Sequence, residues 1–459
     1  MAFGDHILKY QDAILTDLAR IVAIPSVCSK AEPGKPFGPE SARALSEILK
    51  MADHLGFKTR NVGNYAGHAE YGEGSDYAAA VVHVDVVPAG EGWKTDPFCL
   101  THRENNFYGR GTADDKGPAV AALYCLKALK DAGVVGNRRI RVIFGAGEEI
   151  ASNDLTSYFK EEPYPSMAFT PDGNYGIGNR EKGILRMEFS AARGTGEIVR
   201  GFRSGTVVNA VPASAEAVLD GSEELLQRLE SAAQAVPGSF RFEKGNGTVN
   251  VISTGKAHHG SEPQFGFNAA THLTALLGRA LSQEELGAFL SFLNRFIGTE
   301  TDRASLVVKM CDEPSGPLTL NLGIMRIDAP LERAEIDIRY PVTKEGEQII
   351  NSIRSRAEAA GVKAKAVLDS KPLYFPADHP LIRLLQDAYQ AVEGVPAGIY
   401  SMSGGTYARD IPGRAVAFGA QFPDQPDPGM HNANEFLQLD RYMEHAKICL
   451  EAMYRMMKA

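Results

Sequence analysis

The chain has 459 residues, which is too long for one ordinary domain and favours two. Hydrophobic residues make up 44% of it, enough to bury sizeable cores, so the composition excludes a disordered protein. The net charge of −9 disfavours binding to a phosphate backbone, so no nucleic-acid partner is expected.

The sequence predicts neither a secretory signal nor a transmembrane span. The N-terminal segment up to Ser26 has charges every few residues and no basic region before an apolar run, so no secretory signal is expected. No stretch of about 18 apolar residues occurs, so no membrane partner is expected. Free thiols in a reducing cytoplasm are favoured by the five widely spaced cysteines: Cys28, Cys99, Cys125, Cys311 and Cys449.

The first part of the chain is predicted to alternate helices with strands. Apolar residues recur at helical spacing over 7–22 and again over 40–55. Segment 76–85 is short and almost continuously apolar, which is typical of a strand buried on both faces. A helix over 117–132 and a strand over 139–144 follow, and this order indicates an α/β domain with a mixed, mostly parallel sheet.

After about Gly183 the pattern changes to that of an α+β insert. Strand-like and helix-like segments alternate there: 184–189, 222–235, 248–253, 268–281, 318–327 and 334–340. A helix over 381–392 restores the first pattern near the C-terminus. We therefore predict a discontinuous domain, residues 1–182 and 377–459, with a second domain inserted at 183–376.

Two segments place polar side chains beside predicted strands. His83 and Asp85 point to the same face of a strand, so the carboxylate can orient a metal-binding imidazole. Taken alone, this pair is better explained by a structural histidine. Glu148 and Glu149 directly follow a strand, where open α/β sheets place their sites, and a cation would relieve their repulsion. Alone, they are better explained by a solvated acidic loop.

Three further segments hold polar side chains in loops rich in glycine and proline. Asp114 and Asp115 lie between glycines before a predicted helix, where aspartates also serve as helix caps. Asp172 lies in a predicted turn and His431 in a loop, and neither residue is informative alone. The GxG pairs lack the spacing of a dinucleotide-binding loop, which disfavours a nicotinamide-dependent enzyme.

Together these residues form a nitrogen and oxygen ligand set suited to zinc. The set consists of His83, Asp114, Glu149, Asp172 and His431. A carboxylate shared between two ions gives a two-metal site with the ions about 3.5–4 Å apart. Such a site polarises a carbonyl and deprotonates a bridging water, while a free glutamate beside it acts as the general base.

The motifs HVDVVPAG, GRGTADDKGP, GAGEE, TPDG and MHNANE resemble, in this order, those of the aminoacylase/carnosinase superfamily of di-zinc metallopeptidases. The resemblance is closest to the bacterial PepV-type dipeptidases and spans essentially the whole chain. It implies a zinc-peptidase catalytic domain at 1–182 and 377–459 and a lid domain at 183–376. It also implies metal-dependent hydrolysis of the peptide bond of dipeptides or short peptides.

The resemblance further implies how the ligands are shared. His83 and Asp172 would hold one metal, Glu149 and His431 the other, and Asp114 would bridge the two. Two Zn²⁺ ions per chain are expected, with Mn²⁺ or Co²⁺ as substitutes.

Two other residues receive catalytic roles from the same resemblance. Asp85 would orient His83, and Glu148 would be the general base that activates a metal-bridging water. Adjacent residues on an extended segment cannot both face one ion, which agrees with Glu148 as base and Glu149 as ligand. A cis peptide bond is expected between Asp114 and Asp115.

Within the insert, the segment GKAHHGSEP resembles the lid motif whose histidine stabilises the tetrahedral oxyanion. The following Ser and Pro fall into register when that histidine is His259 and not His258. Asn209 and Arg339 resemble contacts to the substrate carboxylate and the transition state, although without the resemblance Arg339 would be taken for a surface charge. The loop with Gly405 and Thr406 resembles the one that lines the substrate pocket.

The resemblance leaves two arrangements of this lid histidine. Dimeric, carnosinase-like members borrow it from the neighbouring subunit, whereas PepV-type members use an enlarged lid within one chain. The length of the insert does not decide between them. The closer motif resemblance to the PepV type favours a monomer with His259 acting within its own chain, and a homodimer is the alternative.

Two related functions share parts of this pattern. An N-acyl amino acid deacylase or amidohydrolase would have the same metals and base and differ only in its pocket. The SGGTYAR loop and the length of the insert favour the dipeptidase over it. A non-catalytic metal-binding homologue would have no need of the general base Glu148.

Overall fold

The computed structural model describes residues 2–150, 153–194, 197–301, 310–328 and 330–459. These residues form two compact units. The first unit extends to Asn179 and also includes Phe375–Tyr400 and Gly405–Ala459, and the second comprises Arg180–Tyr374 and Ser401–Gly404. None of the helices in the described part combines the length and the apolar character that crossing a membrane requires.

Apolar spacing predicts helices near 7–22, 40–55, 117–132, 222–235, 268–281 and 381–392, and each of these segments holds one of the ten α-helices of the described residues. They are α1 (Gln11–Val22), α2 (Pro39–His54), α3 (Lys116–Asp131), α4 (Asp154–Tyr158), α5 (Glu223–Ala233), α6 (Ala269–Ala280), α7 (Gln283–Phe292), α8 (Gly346–Ala359), α9 (Pro380–Glu393) and α10 (Leu439–Lys458). A 3-10 helix over Phe3–Tyr10 precedes α1, so the apolar repeat that starts at Ile7 runs across two helical segments.

The strands fall into two large sheets and two small ones. In chain order they are β1 (Lys58–Val62), β2 (Ala66–Tyr71), β3 (Tyr77–His83), β4 (Thr101–Arg103), β5 (Asn106–Tyr108), β6 (Arg139–Gly145), β7 (Met167–Thr170), β8 (Ile177–Glu181), β9 (Gly183–Ala192), β10 (Val199–Ser204), β11 (Ser214–Asp220), β12 (Ser239–Lys244), β13 (Thr248–Thr254), β14 (Cys311–Asp312), β15 (Gly316–Pro317), β16 (Thr319–Asp328), β17 (Leu331–Tyr340), β18 (Lys363–Ser370), β19 (Leu373–Tyr374), β20 (Ile399–Met402), β21 (Ala415–Phe418) and β22 (Phe436–Gln438).

The first unit is built on a mixed sheet with a parallel centre. Strands β6, β3, β7 and β21 lie side by side and are parallel, while β1 and β2 on one side and β8 on the other run antiparallel to their neighbours. All seven residues of β3 are buried, and α3 and α10 both contact it. Burial on all sides explains the continuous apolar run, since no face of β3 meets water. The α/β fold class is thereby confirmed.

The second unit has an α+β architecture with its own core. Its eight strands are ordered β12-β13-β11-β10-β16-β17-β9-β18, and every neighbouring pair is antiparallel. Side chains along β9 alternate between buried and half-buried, as expected for a sheet with one covered face. The apolar core contains residues of this sheet and of α5, α6, α7 and α8.

Candidate metal centre and active site

Four of the predicted site residues lie at the carboxyl ends of neighbouring parallel strands. β3 ends at His83, Glu148 and Glu149 follow β6, and Asp172 follows β7. The strand order β6-β3-β7 makes these three ends adjacent in space. Side chains at such ends converge because parallel strands all end at the same edge of the sheet.

Asp114 lies between two histidines. It occupies the turn before α3, and its Oδ1 lies 3.1 Å from Nε2 of His83. Its Oδ2 lies 3.0 Å from Nε2 of His431, which is carried by the loop between β21 and β22. The peptide bond that joins Asp114 to Asp115 is cis, as the resemblance predicts. One carboxylate therefore faces two imidazoles, the placement that a bridging ligand requires.

Both glutamates of the pair reach His83. Ligand atoms of His83, Asp114 and Glu149 lie within 4.8 Å of one another, and so do those of His83, Glu148 and Asp172. The assumption of an extended segment is wrong, because Glu148–Ile150 form a 3-10 helical turn. The two side chains differ instead in their contact to the C-terminal loop: Oε2 of Glu149 lies 3.1 Å from Nε2 of His431.

The clustered carboxylates give the site a strong preference for positive charge. Burial, reinforced by neighbouring carboxylates, raises the pKa of Asp172 to about 7 and that of Glu148 well above its usual range. Hydrogen bonds to Asp114 and Glu149 raise the pKa of His431 to about 10. Carboxylates that raise each other's pKa are stabilised together when a cation lies between them.

The donor set fits a divalent metal. Two imidazole nitrogens and three carboxylates are the ligand types that zinc and related ions bind. Oε1 of Glu149 is buried and has no hydrogen-bond partner in the part of the chain that the structure describes. Because an unpaired buried carboxylate oxygen is costly, a cation at this oxygen would satisfy it. The residues present therefore support a metal cofactor.

Asp85 holds the glutamate turn as well as facing His83. Its Oδ1 and Oδ2 accept the backbone N–H groups of Glu148 and Glu149, each at 3.1 Å. Nδ1 of His83 lies 3.1 Å from the backbone oxygen of Asp85 and 3.4 Å from its Oδ1. The sulfur of Cys28 donates to Oδ2 at 3.4 Å. The carboxylate thus links the histidine to the turn that carries both glutamates.

Two aspartates have supporting roles that the sequence did not indicate. Asp115 does not cap α3 with its side chain, and its Oδ2 instead accepts the backbone N–H of His83 at 3.0 Å. Asp154 accepts the N–H groups of Ala146 and Gly147, at 3.2 and 3.0 Å, and the hydroxyl of Tyr407. No local motif could have indicated Asp154, because Tyr407 lies far along the chain.

Within the second unit, His259 has a defined tautomer. The hydroxyl of Ser261 lies 2.6 Å from its Nδ1, and the backbone N–H of Ser261 points at the same nitrogen from 3.3 Å. Because Nδ1 accepts from that N–H, the proton of the neutral ring is on Nε2. Partial burial, and then the charge of Arg339, lower the pKa of His259. Gly260, which directly follows His259, donates its backbone N–H to the backbone oxygen of Asn209 at 2.7 Å.

Arg339 is not a surface charge. Its side chain lies in β17 and is buried, with Nε donating to Asp337 at 2.9 Å and Nη1 donating to the backbone oxygen of Ser403 at 2.7 Å. Gly405 and Thr406 belong to the first unit. There Oγ1 of Thr406 accepts the N–H of Ala408 and caps a 3-10 helix over Tyr407–Asp410.

The chain is similar to several known proteins over nearly its whole length. The chain is 34% identical over 463 residues to "Putative dipeptidase YtjP" of Bacillus subtilis (strain 168), covering 99% of each chain. In fold it is similar to human carnosine dipeptidase 1, with a TM-score of 0.59 and 16% identity over 99% of this chain and 98% of the other. The dipeptidase Dug1p of Saccharomyces cerevisiae is similar in fold too, with a TM-score of 0.58 and 13% identity over the same shares.

The family assignment covers the strands and loops that carry the candidate ligands. The family model described as Peptidase family M20/M25/M40 matches residues 79–455, a range that contains both histidines and all the carboxylates of the site. Since this match spans most of the chain, the protein belongs to peptidase family M20/M25/M40.

Proposed function

We propose that this protein is a metal-dependent dipeptidase. The proposal is carried by the short distances that connect the side chains of His83, Asp114, Glu149 and His431. Glu148 and Asp172 lie beside this group. A relative that is 34% identical over nearly the whole chain carries the name dipeptidase, which supports a dipeptide as the substrate.

In this proposal the ligands are shared between two zinc ions. His83 and Asp172 would hold one ion, Glu149 and His431 would hold the other, and Asp114, which contacts both histidines, would be shared between them. When bound, such ions polarise the scissile carbonyl and lower the pKa of the attacking water. Asp85 keeps His83 and the glutamate turn in register through the contacts described above.

Glu148 is proposed to move the proton. Its carboxylate takes a proton from the attacking water and then gives it to the nitrogen of the leaving amine, so that one group serves both as base and as acid. Glu148 is the better candidate of the pair because Glu149 is already engaged by His431. The N–H of Glu148, held by Asp85, keeps the turn that carries this carboxylate in place.

Residues of the inserted segment and of the loop with Gly405 and Thr406 are proposed to bind the substrate. His259 would donate from Nε2–H to the oxygen on which negative charge develops, because its Nδ1 already accepts from Ser261. Arg339, with Asn209, would recognise the carboxylate of the peptide, and Gly405 and Thr406 would line the pocket. In this reading residues 183–376 are the lid domain and 1–182 with 377–459 the catalytic domain.

A substrate panel tests the function. We expect the purified protein to hydrolyse unmodified dipeptides in the presence of Zn²⁺, Mn²⁺ or Co²⁺. N-acyl amino acids with the same C-terminal residue should be turned over at least about tenfold more slowly, a difference of about 1.4 kcal/mol. The rates are measured by release of free amino acid.

The same panel can contradict the proposal. Preferred turnover of N-acyl amino acids would identify a deacylase with the same metal site, and no turnover of any substrate by metal-loaded protein would remove the enzymatic assignment.

The lid histidine has a test of its own. We expect His259→Ala to lower kcat by about 10²–10³, because a donor aimed at developing charge typically contributes that much. The neighbouring histidine gives a matched control, and His258→Ala should leave kcat within about threefold of wild type. If His258→Ala were the damaging change, the assignment of the lid motif to His259 would be wrong.

We also propose that His259 acts within its own chain and that the protein is a monomer. Glu148→Gln and His259→Ala, each inactive, are mixed under conditions that permit subunit exchange. A histidine borrowed from a partner would create one intact site in each mixed dimer, so recovered activity would contradict the proposal. Continued inactivity together with a monomeric mass in solution is the expected result.

A reducing compartment such as the cytoplasm is the proposed location. The five cysteines are all free, and two of them, Cys125 and Cys449, are buried. Buried thiols that form no disulfide are typical of proteins in a reducing environment. Detection of the native protein in an extracellular fraction of intact cells would contradict this location.

A further inference from the structure

Glu435 is a fully buried carboxylate next to the metal centre that has no part in the mechanism described above. Its exposed fraction is 0%. Oε2 accepts from Nη1 of Arg110 at 2.6 Å and from the N–H of Gly111 at 3.1 Å. Oε1 accepts from the N–H groups of Ala113 and Asp114, at 2.9 and 3.1 Å. Each oxygen therefore has two donors.

All four donors come from one turn, residues 110–114, which ends at the candidate bridging ligand. Burying a carboxylate is costly in free energy unless its charge is paired and its oxygens are fully hydrogen-bonded. Here Arg110 balances the negative charge of Glu435. The backbone N–H groups of Gly111, Ala113 and Asp114 supply the other three hydrogen bonds. The carboxylate thus fixes the backbone of this turn, including the amide of Asp114 itself.

The backbone brings Glu435 to this turn. β22 starts at Phe436 and pairs antiparallel with β5, with Phe436 opposite Tyr108. The N–H of Gly109 then donates to the backbone oxygen of Glu435 at 3.0 Å. The residue before β22 consequently lies beside the residue after β5, and the carboxylate reaches the turn that follows.

The same loop carries the second ligand. His431 precedes Glu435 by four residues, and the N–H of Phe436 donates to the backbone oxygen of Pro428 at 3.0 Å, which closes the loop between them. His431 itself has a positive φ of 62°, a backbone conformation that neighbouring contacts must hold. One end of this closed loop is thereby tied to the turn that carries Asp114.

We propose that Glu435 is a positioning residue that sets the spacing between Asp114 and His431, and through it the affinity of the centre for its metal. The proposal rests on the proposed function, in which both residues are metal ligands. Glu435 contacts neither substrate nor reacting atoms in this scheme. It acts by holding Oδ2 of Asp114 at 3.0 Å from Nε2 of His431.

A role in stability alone is the competing explanation, and another buried glutamate offers a matched control. Glu451 of α10 is 3% exposed, accepts the N–H of Gly4 at 3.0 Å and Nε of Arg455 at 2.9 Å, and lies in a helix that holds no candidate ligand. Replacing either glutamate removes a buried, paired charge. Only Glu435 is connected to the ligands.

The test compares Glu435→Gln with Glu451→Gln. Whichever way the new amide is turned, its NH₂ group faces two N–H donors, so two hydrogen bonds of Glu435 are lost. We expect Glu435→Gln to bind Zn²⁺ about 10–100-fold more weakly than wild type, the usual effect of losing a residue that orients ligands. Glu451→Gln should be destabilised but keep wild-type affinity. Zn²⁺ affinity is measured by calorimetric titration of metal-stripped protein, with thermal unfolding of the same samples.

A second variant covers the case in which Glu435→Gln does not fold. Glu435→Asp keeps the charge beside Arg110 but is one methylene too short to hold both amides of the turn, and the same loss of Zn²⁺ affinity is expected. Wild-type affinity in either folded variant would overturn the inference. If the wild-type protein itself bound no Zn²⁺, the proposed function would fail instead, so the two failures are distinguishable.

Discussion

Dialysis against a metal chelator is expected to reduce dipeptide hydrolysis to background, and added Zn²⁺ is expected to restore it. The reason is the composition of the site: the described side chains that converge there are carboxylates and imidazoles, and a bound metal would supply the polarisation of the carbonyl and the lowering of the pKa of water. Elemental analysis of the dialysed sample confirms that metal is absent before the rate is measured.

Replacement of Asp114 should abolish dipeptide hydrolysis in a way that added Zn²⁺ does not restore. Asp114→Ala removes a carboxylate whose two oxygens lie 3.1 Å from His83 and 3.0 Å from His431, so metal content and activity should be lost together. Asp17→Asn is a suitable control, because Asp17 is another buried aspartate, hydrogen-bonded to Tyr124 outside the site. Full activity in a sample shown to be free of metal would overturn the metallopeptidase proposal.

Glu148→Gln is expected to lower kcat by about 10²–10⁴ while leaving the metal content unchanged. The amide keeps the size and the polar character of the side chain but cannot accept a proton from water. The backbone N–H of residue 148 would still donate to Asp85, so the turn should keep its shape. The measurement pairs steady-state kinetics with elemental analysis of the purified variant.

The same substitution at Glu149 is expected to affect metal content and not only turnover. Glu149→Gln should lower the metal content, because Oε2 of Glu149 lies 3.1 Å from Nε2 of His431 and its Oε1 is left for a cation. If Glu148→Gln lost metal and Glu149→Gln lost only turnover, the roles of the two glutamates would have to be exchanged.

Part of the site was predictable from the sequence because two of its motifs adjoin predicted strands. The continuous apolar run over 77–83 identified a strand buried on both faces, and His83 stands at its end. The glutamate pair also follows a predicted strand, so its place at the edge of a parallel sheet followed from the α/β pattern, whereas the strand before Asp172 was not predicted. The roles of the individual ligands came from the resemblance to a known superfamily and remain proposals.

Local conformation at the glutamate pair was not predictable in the same way. A short segment between a strand and a turn has no repeating pattern that separates extended from helical backbone. The sequence therefore suggested extended backbone at Glu148, whereas the structure has a 3-10 turn whose two N–H groups donate to Asp85. The carboxylate that accepts these hydrogen bonds belongs to Asp85, two residues after β3. This contact between distant segments decides the conformation of the glutamate pair.

By itself, then, the sequence determined many of the elements, the α/β class and the kinds of side chain at the site, since these depend on spacing along the chain. The tertiary structure decided which residues hold the ligands in place. Glu435 accepts the backbone N–H of Asp114, and Asp154 accepts the hydroxyl of Tyr407. Arg339 is buried instead of exposed. Such contacts join segments far apart in the chain, and they form only because the order of strands in a sheet, which local patterns do not encode, brings those segments together.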